Sequence, residues 1–127
     1  MRLVVEIPGN PWAGAINRRD RAGVTRGGRL FNRKQPGFKA YQATVEQWAR
    51  QAARLQGVRF GPALVRVAIV LGVPDRRRRD LDGPIKAILD GCTKAGIWAD
   101  DSQVWRLAVE KALGEPRAVL TVRAWQG

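Results

Sequence analysis

Residues 63 to 73, ALVRVAIVLGV, restrict the fold of this chain more than any other stretch. They are rich in β-branched residues, follow a Gly61-Pro62 break, and read as a central strand. The other elements are arranged around them. RLVVEIP, 2 to 8, reads as a short strand ended by Pro8 and Gly9. From Phe38 to about Leu55 the pattern turns helical. Tyr41, Val45, Trp48, Ala52 and Leu55 fall on one apolar stripe, which makes Trp48 a core residue. A second helix is expected from 82 to about 95, with Pro84 in its first turn and Gly96 at its C-terminal cap. QVWRLAVEKAL (103 to 113) and RAVLTVRAW (117 to 125) read as closing strands joined across Gly114-Glu115-Pro116. The order β-α-β-α-β-β predicts an α+β fold: a two-layer sandwich, with two helices packed on one face of a mixed β-sheet. With 127 residues and no internal repeat, residues 1–127 form one domain.

Between the first strand and the first helix, residues 9 to 36 form a long segment carrying Arg18, Arg19, Arg21, Arg26, Arg29, Arg33 and Lys34 with one acid, Asp20. A loop of that length in a compact domain is either functional or disordered. No apolar run approaches the ~20 residues that span a bilayer. The amino terminus lacks a long apolar core and a small-residue cleavage site. The expected location is the cytoplasm, with no membrane partner.

Charge and missing residue types narrow the chemistry. Lys and Arg total 23 against 11 Asp and Glu, a formal net charge of +12. For so small a domain this favours a polyanion, nucleic acid above all, through counterion release and long-range attraction. The chain has no histidine, one serine (Ser102) and one cysteine (Cys92). That excludes His general bases, Ser-His triads, internal disulfides and multi-cysteine zinc sites. If the chain hydrolyses phosphate esters, carboxylates must hold its metal, and oxygen ligands fit Mg²⁺ or Mn²⁺.

Six of the eleven acids lie between Asp75 and Asp101, in the most arginine-rich part of the chain. Asp80 and Asp82, if the chain is extended there, point to the same side and share one ion. Asp82, Lys86 and Asp90 then fall at i, i+4, i+8, along the edge of a helix face buried through Leu81, Ile85, Ile88, Leu89 and Cys92. Each feature also has a plain structural reading. Asp82 and Lys86 form an ordinary helix ion pair, worth ~0.2–0.5 kcal/mol. Either Asp80 or Asp82 caps the helix. Asp100-Asp101-Ser102 is turn chemistry, and Arg76, Arg77, Arg78 and Arg79 form a solvated loop.

RRRRDLDGPIKAILDGCTKAGIWADDSQV, 76 to 104, resembles the signature of RusA-type Holliday junction resolvases: an arginine-rich run, D-x-D-N, a lysine four residues after the second Asp, then A-G, a hydrophobic pair, any one residue and D-D-x-x-V. The likeness is looser outside this stretch but covers most of the chain. It implies an Mg²⁺-dependent endodeoxyribonuclease, bacterial or phage-encoded, with Mn²⁺ able to substitute. Such enzymes act as homodimers on branched DNA such as a four-way junction, in recombination and repair. It implies that Asp80, Asp82 and Asp101 hold the metal, that Lys86 is the catalytic lysine, and that Asp90 and Asp100 support them. Arg18, Arg19, Arg21 and Arg76 to Arg79 would grip DNA phosphates. Trp12 and Phe31 are open to insertion at the crossover, and Trp12 equally to burial in the core. Gly83 stands where the pattern has Asn, which removes a hydrogen-bonding side chain beside the acids. The alternatives are a non-catalytic branched-DNA-binding protein of the same fold and a basic RNA-binding domain.

Overall fold

The computed structural model describes residues 1–14, 22–24, 30–32 and 36–126. Of the basic segment's expected contacts, Arg18, Arg19, Arg21, Arg26, Arg29, Arg33 and Lys34 lie outside the described residues. Strand β1 runs Arg2–Pro8 and is followed by a 3₁₀ turn, Pro11–Gly14. Two three-residue strands, β2 (Ala22–Val24) and β3 (Leu30–Asn32), pair antiparallel within the stretch expected to be loop. Strands that short are below the length at which alternation is visible in a sequence. Helix α1 (Pro36–Gln56), β4 (Val65–Val73), α2 (Asp82–Lys94), β5 (Val104–Leu113) and β6 (Arg117–Ala124) complete the chain.

The main sheet has the order β1-β6-β4-β5. β4 is central, antiparallel to β6 and parallel to β5, and β6 pairs antiparallel with β1. The sheet is therefore mixed, and α2 is the crossover between its two parallel strands. Both helices cover one face, as the element order predicts. The core fills that face with Leu3, Val5 and Ile7 from β1, the alternate residues Val65 to Val73 of β4, and Ala118, Leu120 and Val122 of β6. The segment joining β5 and β6 passes closely over Gly72 of β4, where an added Cβ would lie 2.1 Å from the Glu115 carbonyl oxygen. No helix among the described residues is long and apolar enough to cross a membrane.

Helix α1 is buried through Phe38, Tyr41, Val45, Ala49 and Ala53, so the expected stripe holds at Tyr41 and Val45 and then departs toward Ala49 and Ala53. Trp48 is 37% exposed and Leu55 lies in solvent, so Trp48 is not a core residue. The reason is steric: α2 approaches so closely that a Cβ at Gly91 would sit 2.6 Å from Val45 Cγ1. Alanines fit that interface where tryptophan and leucine do not. Helix α2 likewise turns Pro84, Ala87, Ile88, Gly91 and Cys92 inward and leaves Leu81, Ile85 and Leu89 half-buried. It ends in a Schellman motif, with the Gly96 N–H bonded to Thr93 O (3.0 Å) and the Ile97 N–H to Cys92 O (3.1 Å). Gly96 has φ +77°, the conformation that motif needs.

Candidate active site

The loop between β4 and α2 carries the arginine run and the first two acids, and it is held by side chains distant in sequence. The Trp12 indole N–H donates to the Asp80 carbonyl at 2.7 Å. The Lys111 ammonium donates to the Arg79 carbonyl. Arg79 turns inward: its guanidinium bonds Asp75 Oδ1 at 2.9 Å, lies 5.8 Å from the Trp12 ring centroid, and leaves its side chain only 15% exposed. The Arg77 backbone N–H and then the Arg79 guanidinium hold the Asp75 carboxyl below its usual range. Trp12 is thus neither an exposed wedge nor simple core. It is a half-buried prop under the loop, packed against the core. Arg76, Arg77 and Arg78 remain directed to solvent.

This bracing presents Asp80 and Asp82 along one open concavity of about 970 Å³, shared with Arg78, Arg79, Leu81 and Lys111. Neither aspartate caps the helix. The residue before the first turn is Leu81, which makes no side-chain cap bond. Asp82 is instead the first helical residue, where the helix dipole favours a negative charge. The Lys86 ammonium pairs with Asp90 Oδ2 at 3.6 Å, so the helix ion pair is Lys86–Asp90 and not the expected Asp82–Lys86.

Asp101 is elsewhere. Its carboxylate accepts from the Thr93 hydroxyl and from the Trp98 indole N–H (3.2 Å), at the C-terminal end of α2. Thr93 follows Asp82 by eleven helical steps, about 16 Å at 1.5 Å per residue. Among the described residues of one chain, no group of three or more Asp, Glu, His or Cys side chains is placed to hold a metal ion. Asp80 and Asp82 are together; Asp101 is one helix length away. Burial, and after it the charge of Asp101, pushes the Cys92 thiol up to about 12, so Cys92 is an inert core thiol.

The Asp100–Ser102 turn is itself well built. Ser102 Oγ donates to Asp100, whose carboxyl is held low chiefly by that bond. Gln103, only 8% exposed, spends its whole amide here. Its oxygen accepts from the Ala99 and Asp100 N–H groups (2.8 Å each), and its nitrogen donates to the Gly61 and Ala63 carbonyls at 2.6 and 2.8 Å. Trp12, Thr93, Gln103 and Lys111 all shape the site and were not singled out from the sequence as doing so. Their partners are 68, 8, 42 and 32 residues away along the chain at most, and no local pattern records such contacts.

Residues 8–123 match the model of the family described as endodeoxyribonuclease RusA. The chain is 34% identical over 83 residues to the crossover junction endodeoxyribonuclease of Enterobacteria phage HK97, covering 65% of this chain and 67% of that protein. It is 58% identical over 40 residues to the crossover junction endodeoxyribonucleases of Escherichia coli strain K12 and Enterobacteria phage 82, covering 32% of this chain. The matched part spans about a third of the length of those two relatives, 33% of each.

Proposed function

Because the chain belongs to the endodeoxyribonuclease RusA family, we propose that it is a Mg²⁺-dependent endodeoxyribonuclease that resolves four-way junctions by paired phosphodiester hydrolysis. The observation that carries this reading is the pair Asp80 and Asp82 lining one concavity with Arg78 and Lys111. Two carboxylates on an open, basic surface fit the donor set of Mg²⁺, which keeps several waters and takes further oxygens from substrate phosphates. An ion held there supplies a bound water of lowered pKa and positive charge against the attacking and leaving oxygens.

The chain's own residues do the rest. Arg76, Arg77 and Arg78 offer planar forks to phosphate oxygens flanking the cut. Trp12, Lys111 and Arg79 hold the loop backbone, so Asp80 is presented without having to be ordered when DNA arrives. Lys86 adds positive charge on the helix edge beside the scissile phosphate, and Asp90 keeps its ammonium on that edge.

Asp101 enters through a homodimer. β5 is an open edge of ten residues, with Trp105, Leu107 and Leu113 exposed along it. Such an edge is a template for pairing. Antiparallel pairing of β5 with its copy about a twofold axis sets the start of one β5 beside the end of the other. Lys111, near that end, already touches the loop that carries Asp80. The partner's Asp101 is thereby brought toward Asp80 and Asp82, closing a gap that one chain leaves open. A twofold dimer also places two such sites on opposed strands of a junction with approximate twofold symmetry.

The test is a synthetic four-way junction incubated with the purified protein, with and without Mg²⁺. Paired symmetric nicks that need the metal, abolished in Asp82→Asn with junction binding retained, are expected. Binding without nicks under every divalent ion would refute catalysis and favour the branched-DNA-binding alternative, for which Gly83 is the sequence feature. Preference for duplex RNA would refute both.

A further inference from the structure

The sheet face opposite the helices carries a feature that the site above does not use. Strand register puts Arg2 beside Arg123, Arg123 beside Arg66, and Arg66 beside Arg106. In each of β1, β4 and β6 the arginine alternates with buried neighbours, so it points away from the helices. Four arginines therefore cross the whole sheet in one row, about 14 Å long at the usual strand spacing. Arg66, Arg106 and Arg123 also line a shallow cavity of about 280 Å³, floored by Ala68, Ala108 and Thr121.

Among the described residues none of the four arginines forms an ion pair. Among the described residues, the carboxylates on the strands of this face, Glu6 and Glu110, lie four residues along their strands, roughly 13 Å away. Like charges aligned across adjacent strands destabilise a sheet, so the row costs stability unless an anion covers it. A second copy packed face to face would bring arginine toward arginine, which disfavours that occupant.

We propose that this row binds the phosphate backbone of a second DNA arm, distinct from the arm held at Asp80 and Asp82. This rests on the branched-DNA reading above and deepens it. Arg66 is the second residue of β4, and this chain's own acidic loop leaves the other end of that strand, about 23 Å away at 3.3 Å per residue. The dimer proposed above brings the partner's acids to the start of β5, and from those acids the row is separated by the sheet itself. The row also faces the other side of the sheet. A straight duplex seated at the acids does not turn to meet it, whereas an arm diverging from a branch point does. The row thus supplies selectivity for branched over linear DNA through position alone, with no base contact.

The experiment measures binding by fluorescence anisotropy over a salt series without divalent metal, using a labelled four-way junction and a linear duplex. It compares the wild type with Arg66→Gln/Arg106→Gln/Arg123→Gln. For the junction the log–log salt slope should fall by about 2.7 for each protomer whose row is engaged, three contacts at ~0.9 each, and so by about 5.4 for the dimer. The duplex slope should stay as in the wild type. The corresponding triple Lys variant keeps the charges and should restore the junction slope. An unchanged junction slope, or an equal fall on both DNAs, would overturn the second-arm assignment while leaving the Mg²⁺ cleavage assay as an independent measure of the active site. Wild-type protein that binds neither DNA would overturn both.

Discussion

Gln103 offers the sharpest check on how the acidic turn is held. Its amide has two donors and two acceptor positions, and all four are used, joining Ala99 and Asp100 to Gly61 and Ala63. In Gln103→Ala all four bonds are lost at a buried position. At ~0.5–1.5 kcal/mol each, discounted because water can enter the gap, the expected loss is about 2–4 kcal/mol. Against a typical total of ~5–15 kcal/mol this is severe. Gln103→Glu is the better control, since it keeps the shape and turns a carboxylate oxygen toward the Gly61 and Ala63 carbonyls. It should be at least as damaging as Ala at neutral pH and partly relieved in acid, where a protonated carboxyl regains one donor. Urea unfolding followed by circular dichroism reads the result. With a slope near ~2 kcal/mol/M the midpoint falls by about 1–2 M without a change in slope. Variants within about 0.5 kcal/mol of the wild type would show that the amide is not the clasp between the 61–63 segment and the acidic turn.

Gly91→Ala should destabilise by about 1–3 kcal/mol, because the new methyl meets Val45 at 2.6 Å, and Val45→Ala in the same chain should recover part of the loss; thermal melts of the three variants check it. Mixing Asp82→Asn and Asp101→Asn subunits should restore nicking at one site per dimer if the two acids come from different chains, and no restoration would place them in one chain's site. The Asp75 carboxyl should titrate below the usual ~3.9, and Arg79→Ala should raise it only part of the way, because the Arg77 N–H remains. The bracing that Asp75 gives the loop is then fully present above pH ~4 and lost as pH falls through the lower folded value; carboxyl-detected NMR titration follows it, and an ordinary value would refute the contact.

Local pattern accounts for much of this protein. The strand Val65–Val73, the proline-containing first turn of α2, its Gly96 terminus and the closing pair of strands were all legible. Each depends on the residues within a few positions of itself. Asp80 and Asp82 line one concavity although Leu81 between them has a helical backbone, not the extended conformation expected to set them on one side. Beyond Val45 the stripe on α1 was not legible. Spacing alone favours Trp48 and Leu55 as strongly as Ala49 and Ala53, and the choice between them belongs to the neighbouring helix.

By its own residue types, the chain determined which chemistry is open to it: no imidazole, one buried thiol, a large positive charge and carboxylates as the available metal ligands. Short-range spacing likewise settled the order of the main-sheet strands and the two helices, though not the short β2–β3 pair. Only the tertiary structure decided which acids meet. Asp82 and Asp101 stand in one continuous motif, yet the helix between them is rigid and sets them at its opposite ends. The arginine row is the converse case: Arg2, Arg66, Arg106 and Arg123 are scattered over the chain and become neighbours through strand register alone. Sequence distance measures contour length, whereas a site depends on where a rigid helix and a registered sheet return the chain in space.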